Sequence, residues 1–205
     1  EAKTDVLAFV GQGVLPAATV FERATDLAPA MASFPGEANW LIGLQIGNDD
    51  GAAKGRKSLQ LQSDLKGISM LLPAPLDKPS ATSLPLSLKL EMPIVGQEFS
   101  ASLGDLLSVR GRLPGPANTF SARMNFGSAD ATESIPVDGL QIGGEVDSLD
   151  VGGWIGLLNE GGTGGVSFQG MALDVVSMQM AGRDFPNIHL DLVPQQETTS
   201  ISISG

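Results

Sequence analysis

The sequence predicts a mainly β chain of mostly antiparallel strands with one or two short helices. Three observations lead there. Apolar and polar residues alternate with period two, most clearly in LPLSLKLEM, where Leu84, Leu86, Leu88, Leu90 and Met92 share one face and Pro85, Ser87, Lys89 and Glu91 the other. Turn residues (Gly, Pro, Asn, Asp) separate such runs at about 8–12 residue spacing, the mark of an antiparallel all-β chain. Helix-period patterns are nearly absent between Asn39 and Glu133.

In chain order, residues 1–38 read as an irregular or helical segment packing on a sheet. Gly13, Pro16 and Pro29 break the Ala-rich stretch into a short strand or loop and one or two short helices around Val20 to Phe34. Residues 39–205 form the second unit. NWLIGLQIG places Trp40, Ile42, Leu44 and Ile46 on one face, and Asn48 to Lys57 is turn chemistry. SLQLQSDL sets Leu59, Leu61 and Leu65 against Gln60, Gln62 and Asp64. Past a Pro-rich loop and the LPLSLKLEM strand come runs with Phe99, Ala101 and Leu103, then Leu107, Val109 and Leu113, then Phe120, Ala122, Met124 and Phe126. Leu140, Ile142 and Val146 continue the pattern. Asp150 is placed to cap a short helix carrying Trp154, Ile155, Leu157 and Leu158, ending near the glycines from Gly161. Strands follow around Val166–Met180, Asn187–Val193 and Thr199–Ser204.

Composition excludes several function classes. The 205 residues carry a net charge of −11, which argues against nucleic acid and against plain electrostatic docking on anionic lipid heads. With no Cys, disulfides, thiolate chemistry and Cys-based metal sites are impossible. No apolar run is long enough to span a bilayer, and no signal peptide is visible. Aromatic residues make up 5% of the chain, so its core and lining must be aliphatic.

Motifs for chemistry are missing. The one histidine, His189, alternates onto the face opposite Ile188, Leu190 and Leu192, with neither a triad nor a second metal ligand in sight. Asp49, Asp50 and Gly51 lack the spacing of a calcium loop. GQGVLP at Gly11 is not a dinucleotide fingerprint, and GGTGG at Gly161 lacks the Lys-Ser/Thr of a phosphate loop. No Ser lies in G-x-S-x-G. Asp147, Asp150 and Asp174 are carboxylates that sequence alone does not pair. No enzyme, metal or cofactor is expected.

The surplus is apolar faces, and each must be covered. A second sheet would make a β-sandwich; alternatively, a strongly curved sheet would hold hydrocarbon chains on its concave side. The candidate lining for the second case is Leu59, Leu61, Leu86, Leu88, Leu90, Phe120, Met124 and Phe126.

The loop LPAPLDKP, Leu72 to Pro79, followed by LPL and an alternating strand, resembles a strand–loop–strand of the YhdP-type AsmA-like proteins of Gram-negative envelopes. Leu65, Gly67, Leu72, Pro73, Pro75, Leu76, Lys78, Pro79, Leu84 and Pro85 carry the resemblance. In GLQIGGEVDSLDVGGWIGLL, Asp150 and Trp154 match a strand followed by D-x-x-x-W and a short helix. AGRDFPNIHLDLVPQQETTSISISG resembles the family's strand pair, so the likeness covers about residues 39–205. It implies an AsmA-like groove domain: a curved, mostly antiparallel sheet forming an open groove or half-barrel. It also implies structural roles for Leu72, Pro73, Pro75, Leu76, Lys78, Pro79, Asp150 and Trp154. Such proteins are anchored in the inner membrane, cross the periplasm and move phospholipids toward the outer membrane, acyl chains sliding in the groove, without cofactors. The implied partners are phospholipid acyl chains and neighbouring segments of the same full-length protein; membrane contact would come only through parts outside this chain. The chain starts at Glu1 without Met and stops just after TTSISIS, so it is expected to be an internal or C-terminal piece. The alternative is a non-catalytic envelope scaffold or interaction module with a closed sandwich core.

Overall fold

Alternating stretches pair with their chain neighbours, and the eleven strands among the described residues join one sheet in sequence order. The structure, a computed structural model, describes residues 6–22, 31–47, 57–127, 134–161, 167–194 and 199–205. The strands are β1 (Val6–Pro16), β2 (Glu37–Gly47), β3 (Lys57–Ser63), β4 (Leu86–Met92), β5 (Glu98–Leu103), β6 (Leu107–Arg112), β7 (Ser121–Phe126), β8 (Gly139–Asp150), β9 (Phe168–Met180), β10 (Arg183–Pro194) and β11 (Thr199–Ser204). Among the described residues two short helices are delimited, α1 (Ala17–Val20) and α2 (Val151–Gly161). The sheet is open: β1 and β11 are its two edges and do not pair with each other. A closed sandwich, the packing of the alternative reading, is not what forms among the described residues, because every strand lies in this one sheet.

Pairing is antiparallel except at β7–β8 and β8–β9, which are parallel. Antiparallel neighbours need only a tight turn, as at Ala181–Gly182, where both residues have positive φ (51° and 73°) and link β9 to β10. Parallel neighbours need a crossover, and α2 supplies it between β8 and β9. That crossover brings α2 onto the apolar side of the sheet, where Val151 and Trp154 pack on the core.

The short strand or loop expected before the helices is a strand, Val6–Pro16, and it lies in the sheet rather than on it. It is the edge strand β1, paired along its whole length with β2. Gly11 and Gly13 stand opposite Ile42 and Trp40, so the inward face of β1 lacks the side chains that would have shown alternation. Of the helical stretch expected around Val20 to Phe34, α1 ends at Val20; residues 23–30 lie outside the described residues, as do residues 48–56 of the expected turn Asn48 to Lys57 and the glycines after Gly161. Phe120 precedes β7 and Leu113 follows β6; Leu65 is also outside a strand, with φ 49°.

Two buried clusters form on the apolar side. One gathers Ala17, Ala38, Trp40, Leu61, Leu65, Ile68, Met70 and Leu103. The other gathers Phe126, Val146, Leu149, Leu173, Val175, Met178 and Leu190. Leu76 and Leu107 pack against both and join them. In the second cluster the buried pairs Val146/Leu149 and Val175/Met178 are three residues apart, so alternation skips a step on adjacent strands. Asn187 has φ 54° between Ile188 and Phe185, where the same step occurs on β10.

Candidate functional site

The connection from β3 to β4, residues 64–85, folds back over the apolar side as a strap. Backbone bonds in both directions between Met70 and Lys78 (2.8 and 3.1 Å) close a small hairpin inside it. Ser69 and Leu71 donate their N–H groups to the carbonyls of Pro35 and Ser33, which fastens the strap beside the start of β2. Gly67 makes this close approach possible. Its φ is 105°, and a Cβ there would collide with the Glu37 carbonyl oxygen.

Lys78 holds the strap's base. The residue is 5% exposed, and its Nζ donates to the carbonyl oxygens of Leu65 (2.9 Å), Ile68 (2.6 Å), Pro79 (3.1 Å) and Thr82 (2.9 Å). An ammonium buried this deeply needs such acceptors, since an unpaired buried charge is very costly. Burial lowers its pKa from the ordinary 10.5, against a smaller upward pull from the Asp64 carboxylate. The strap's tip meets α2: the Ala74 carbonyl accepts both the Trp154 Nε1–H (2.8 Å) and the Asp150 backbone N–H (3.2 Å). Asp150 also caps α2, its Oδ1 accepting the Gly153 N–H at 2.9 Å. Leu72, Pro73, Pro75, Leu76, Lys78, Pro79, Asp150 and Trp154, the motif residues of the sequence, thus all belong to one strap–helix assembly over the sheet.

Beyond the strap the apolar side continues. Strand pairing aligns Ile42, Leu61, Leu88, Ala101, Val109, Met124, Ile142, Met171, Leu192 and Ile201, one residue from each of ten successive strands and none of them polar. At the usual strand spacing such a row runs roughly 43 Å, longer than the ~30 Å hydrocarbon thickness of a bilayer. A parallel row runs Phe9, Leu44, Leu59, Leu90, Phe99, Gly111, Ala122 and Leu140. A third, nearer the strap, includes Leu86, Leu103, Leu107 and Phe126. One step away along the strands the side chains point to the other face and are polar: Gln60, Lys89, Ser100, Arg110, Arg123 and Gln141 pair across six strands.

The eight lining candidates fall on the apolar face. Leu61 and Phe126 are buried, while Leu59, Leu86, Leu88, Leu90, Phe120 and Met124 are half-buried. Phe120 reaches the face from outside β7 by stacking on Phe99, centroids 6.4 Å apart at 26°. The Phe99 ring lies across Gly111, where a Cβ would sit 2.5 Å from its Cε1. Exposure grows toward the sheet edges, to 56% at Phe9 and 61% at Ile201, where nothing among the described residues covers the face. Sequence reasoning placed Ala101, Val109, Ile142 and Leu192 on strand faces without assigning them to the lining, and did not pick out Met171. Strand register is the signal that joins them. His189 stays on the polar face but has a partner, with Nδ1 2.7 Å from Asp174 Oδ1 on β9.

The fold and this face together define a class: an open β-sheet protein with one polar and one apolar side, the apolar side partly roofed by a strap and a helix. A family model described as YhdP protein matches residues 2–205, and the chain belongs to that family. A search of curated proteins and a search of solved structures each found no match. No helix among the described residues is long and apolar enough to cross a membrane.

Proposed function

We propose that this chain is a segment of a periplasm-spanning protein that carries phospholipids between the inner and outer membranes of a Gram-negative envelope, their acyl chains lying on the apolar face of the sheet. The chain is read as a non-catalytic carrier. The observation that carries the reading is the unbroken apolar row from Ile42 to Ile201. Family membership supports the same direction.

The physics is that of transfer from water to hydrocarbon. Each buried methylene is worth about 0.8 kcal/mol, so an acyl chain prefers such a face to water by roughly 10 kcal/mol. Leu, Met, Val and Ile offer no polar anchor, so neighbouring positions along the row are similar in energy and barriers between them are low. Heads stay in water beside the open face. A half-buried Leu88 or Met124 gains the rest of its burial only when something apolar covers it, so protein and lipid benefit from the same contact. Among the described residues both sheet edges present unpaired backbone groups, on which neighbouring segments of the same full-length protein would continue the sheet.

Native mass spectrometry of the purified protein, followed by lipid extraction, tests the reading. Co-purifying phospholipid supports it. A folded protein that neither co-purifies phospholipid nor takes up a labelled one contradicts it.

A further inference from the structure

We infer that the strap and the sheet form a holding site for the end of one acyl chain, so that a lipid on this segment has a preferred resting position. This rests on the proposed lipid reading and adds to it a place and an orientation.

Between the strap and β5–β6 lies a cleft of about 270 Å³, close to the lower end of ordinary small-molecule sites at about 300 Å³. Leu65, Ile68 and Leu72 wall it from the strap, Ala101 and Val109 from the sheet, and Trp40 from β2. Ala101 is the small residue of the long apolar row, with Leu88 and Val109 beside it, and its missing bulk leaves space under the strap. No polar atom is exposed in the cleft.

Ser102 in the cleft wall exposes no polar atom to it, and the Trp40 indole and Lys78 ammonium are already committed. The Trp40 indole N–H donates to the Leu15 carbonyl at 2.9 Å. The Lys78 ammonium is shared among its four carbonyls. Water against these walls gains no polar partner from the protein, and a lipid headgroup would find nothing to bind. Apolar walls of this extent complete their burial only when something apolar covers them. The matching occupant is a hydrocarbon end with no polar atom, continuous with the row through Leu88 and Met124, the head remaining in water outside. The strap thereby turns one part of a uniform track into a station.

Trp40 reports occupancy. The protein is loaded with phosphatidylethanolamine brominated near the acyl chain end, and emission is compared with the unbrominated lipid. Wild type and Trp154→Phe, in which Trp40 is the sole tryptophan, are both measured. The expected result is quenching of Trp40, lost in Ala101→Phe or Val109→Phe, either of which fills the cleft, while lipid still co-elutes. Co-eluting brominated lipid that leaves Trp40 unquenched would overturn the holding site and leave the carrier reading standing. Quenching that persists with the cleft filled would also overturn it. Absence of any bound lipid would remove both.

Discussion

Trp154 and Ala74, 80 residues apart in sequence, are joined by a 2.8 Å hydrogen bond from the indole Nε1 to the carbonyl oxygen. The bond ties the tip of the strap to α2 and so connects two stretches that the sequence shows only as separate motifs. Around it Leu76 packs against both buried clusters, making the strap the common roof of the two halves of the sheet.

Trp154→Phe keeps most of the ring and removes the donor. The Ala74 carbonyl retains the Asp150 N–H, so the expected loss is about 1 kcal/mol in urea unfolding. Trp154→Ala also removes the packing and is expected to cost about 3–5 kcal/mol. Equal, small effects for the two would show that α2 does not hold the strap.

Lys78→Met removes the donor shared by four carbonyls and is expected to destabilise by about 2–4 kcal/mol. Lys78→Arg does not restore stability, since a planar guanidinium does not fit a cage built around one nitrogen. The pH dependence has a defined sign. The folded pKa is lowered from 10.5, so between the lowered value and 10.5 the unfolded chain holds a proton that the folded chain has released. Stability from this group therefore rises with pH through that window and is constant below it. Thermal unfolding should show the gap between wild type and Lys78→Met widening as pH climbs toward 10.5.

Gly67→Ala places a Cβ against the Glu37 carbonyl at a φ of 105° and is expected to cost about 2 kcal/mol or more. Gly156 on α2 has nothing near its Cβ position. Gly156→Ala is expected to stabilise by about 0.5–1 kcal/mol through helix propensity. If both substitutions behave alike in thermal unfolding, the strap is not seated as described.

Much of the sheet was legible because strand after strand has one apolar side, and a strand in an open sheet with one wet face shows that in period two. Leu86 to Met92 and Ser121 to Phe126 are such cases. β1 was legible only as a short strand or loop: its inward positions at Gly11 and Gly13 have no side chain, while outward Val10 and Val14 are 68% and 64% exposed. Which faces lie together was hidden too, because register is a property of pairs, and one step of slip sends every side chain to the other side. The pairing of Leu61 with Leu88, and of Val109 with Met124, puts those residues on one face. For Lys78 the sequence offered a structural role through the motif resemblance, but none of its contacts. Its role depends on four carbonyls gathered by turns that alternation does not encode. The same holds for Asp174, which reaches His189 only through the register of β9 and β10.

The most direct measurement is phospholipid co-purification with wild type, Leu88→Asp, Met124→Asp and, as a control of equal charge on the polar face, Ser100→Asp, with folding verified by circular dichroism. The account predicts bound phospholipid for wild type and Ser100→Asp and its loss from the two apolar-face variants. Folded Leu88→Asp and Met124→Asp proteins that retain as much lipid as Ser100→Asp would contradict it.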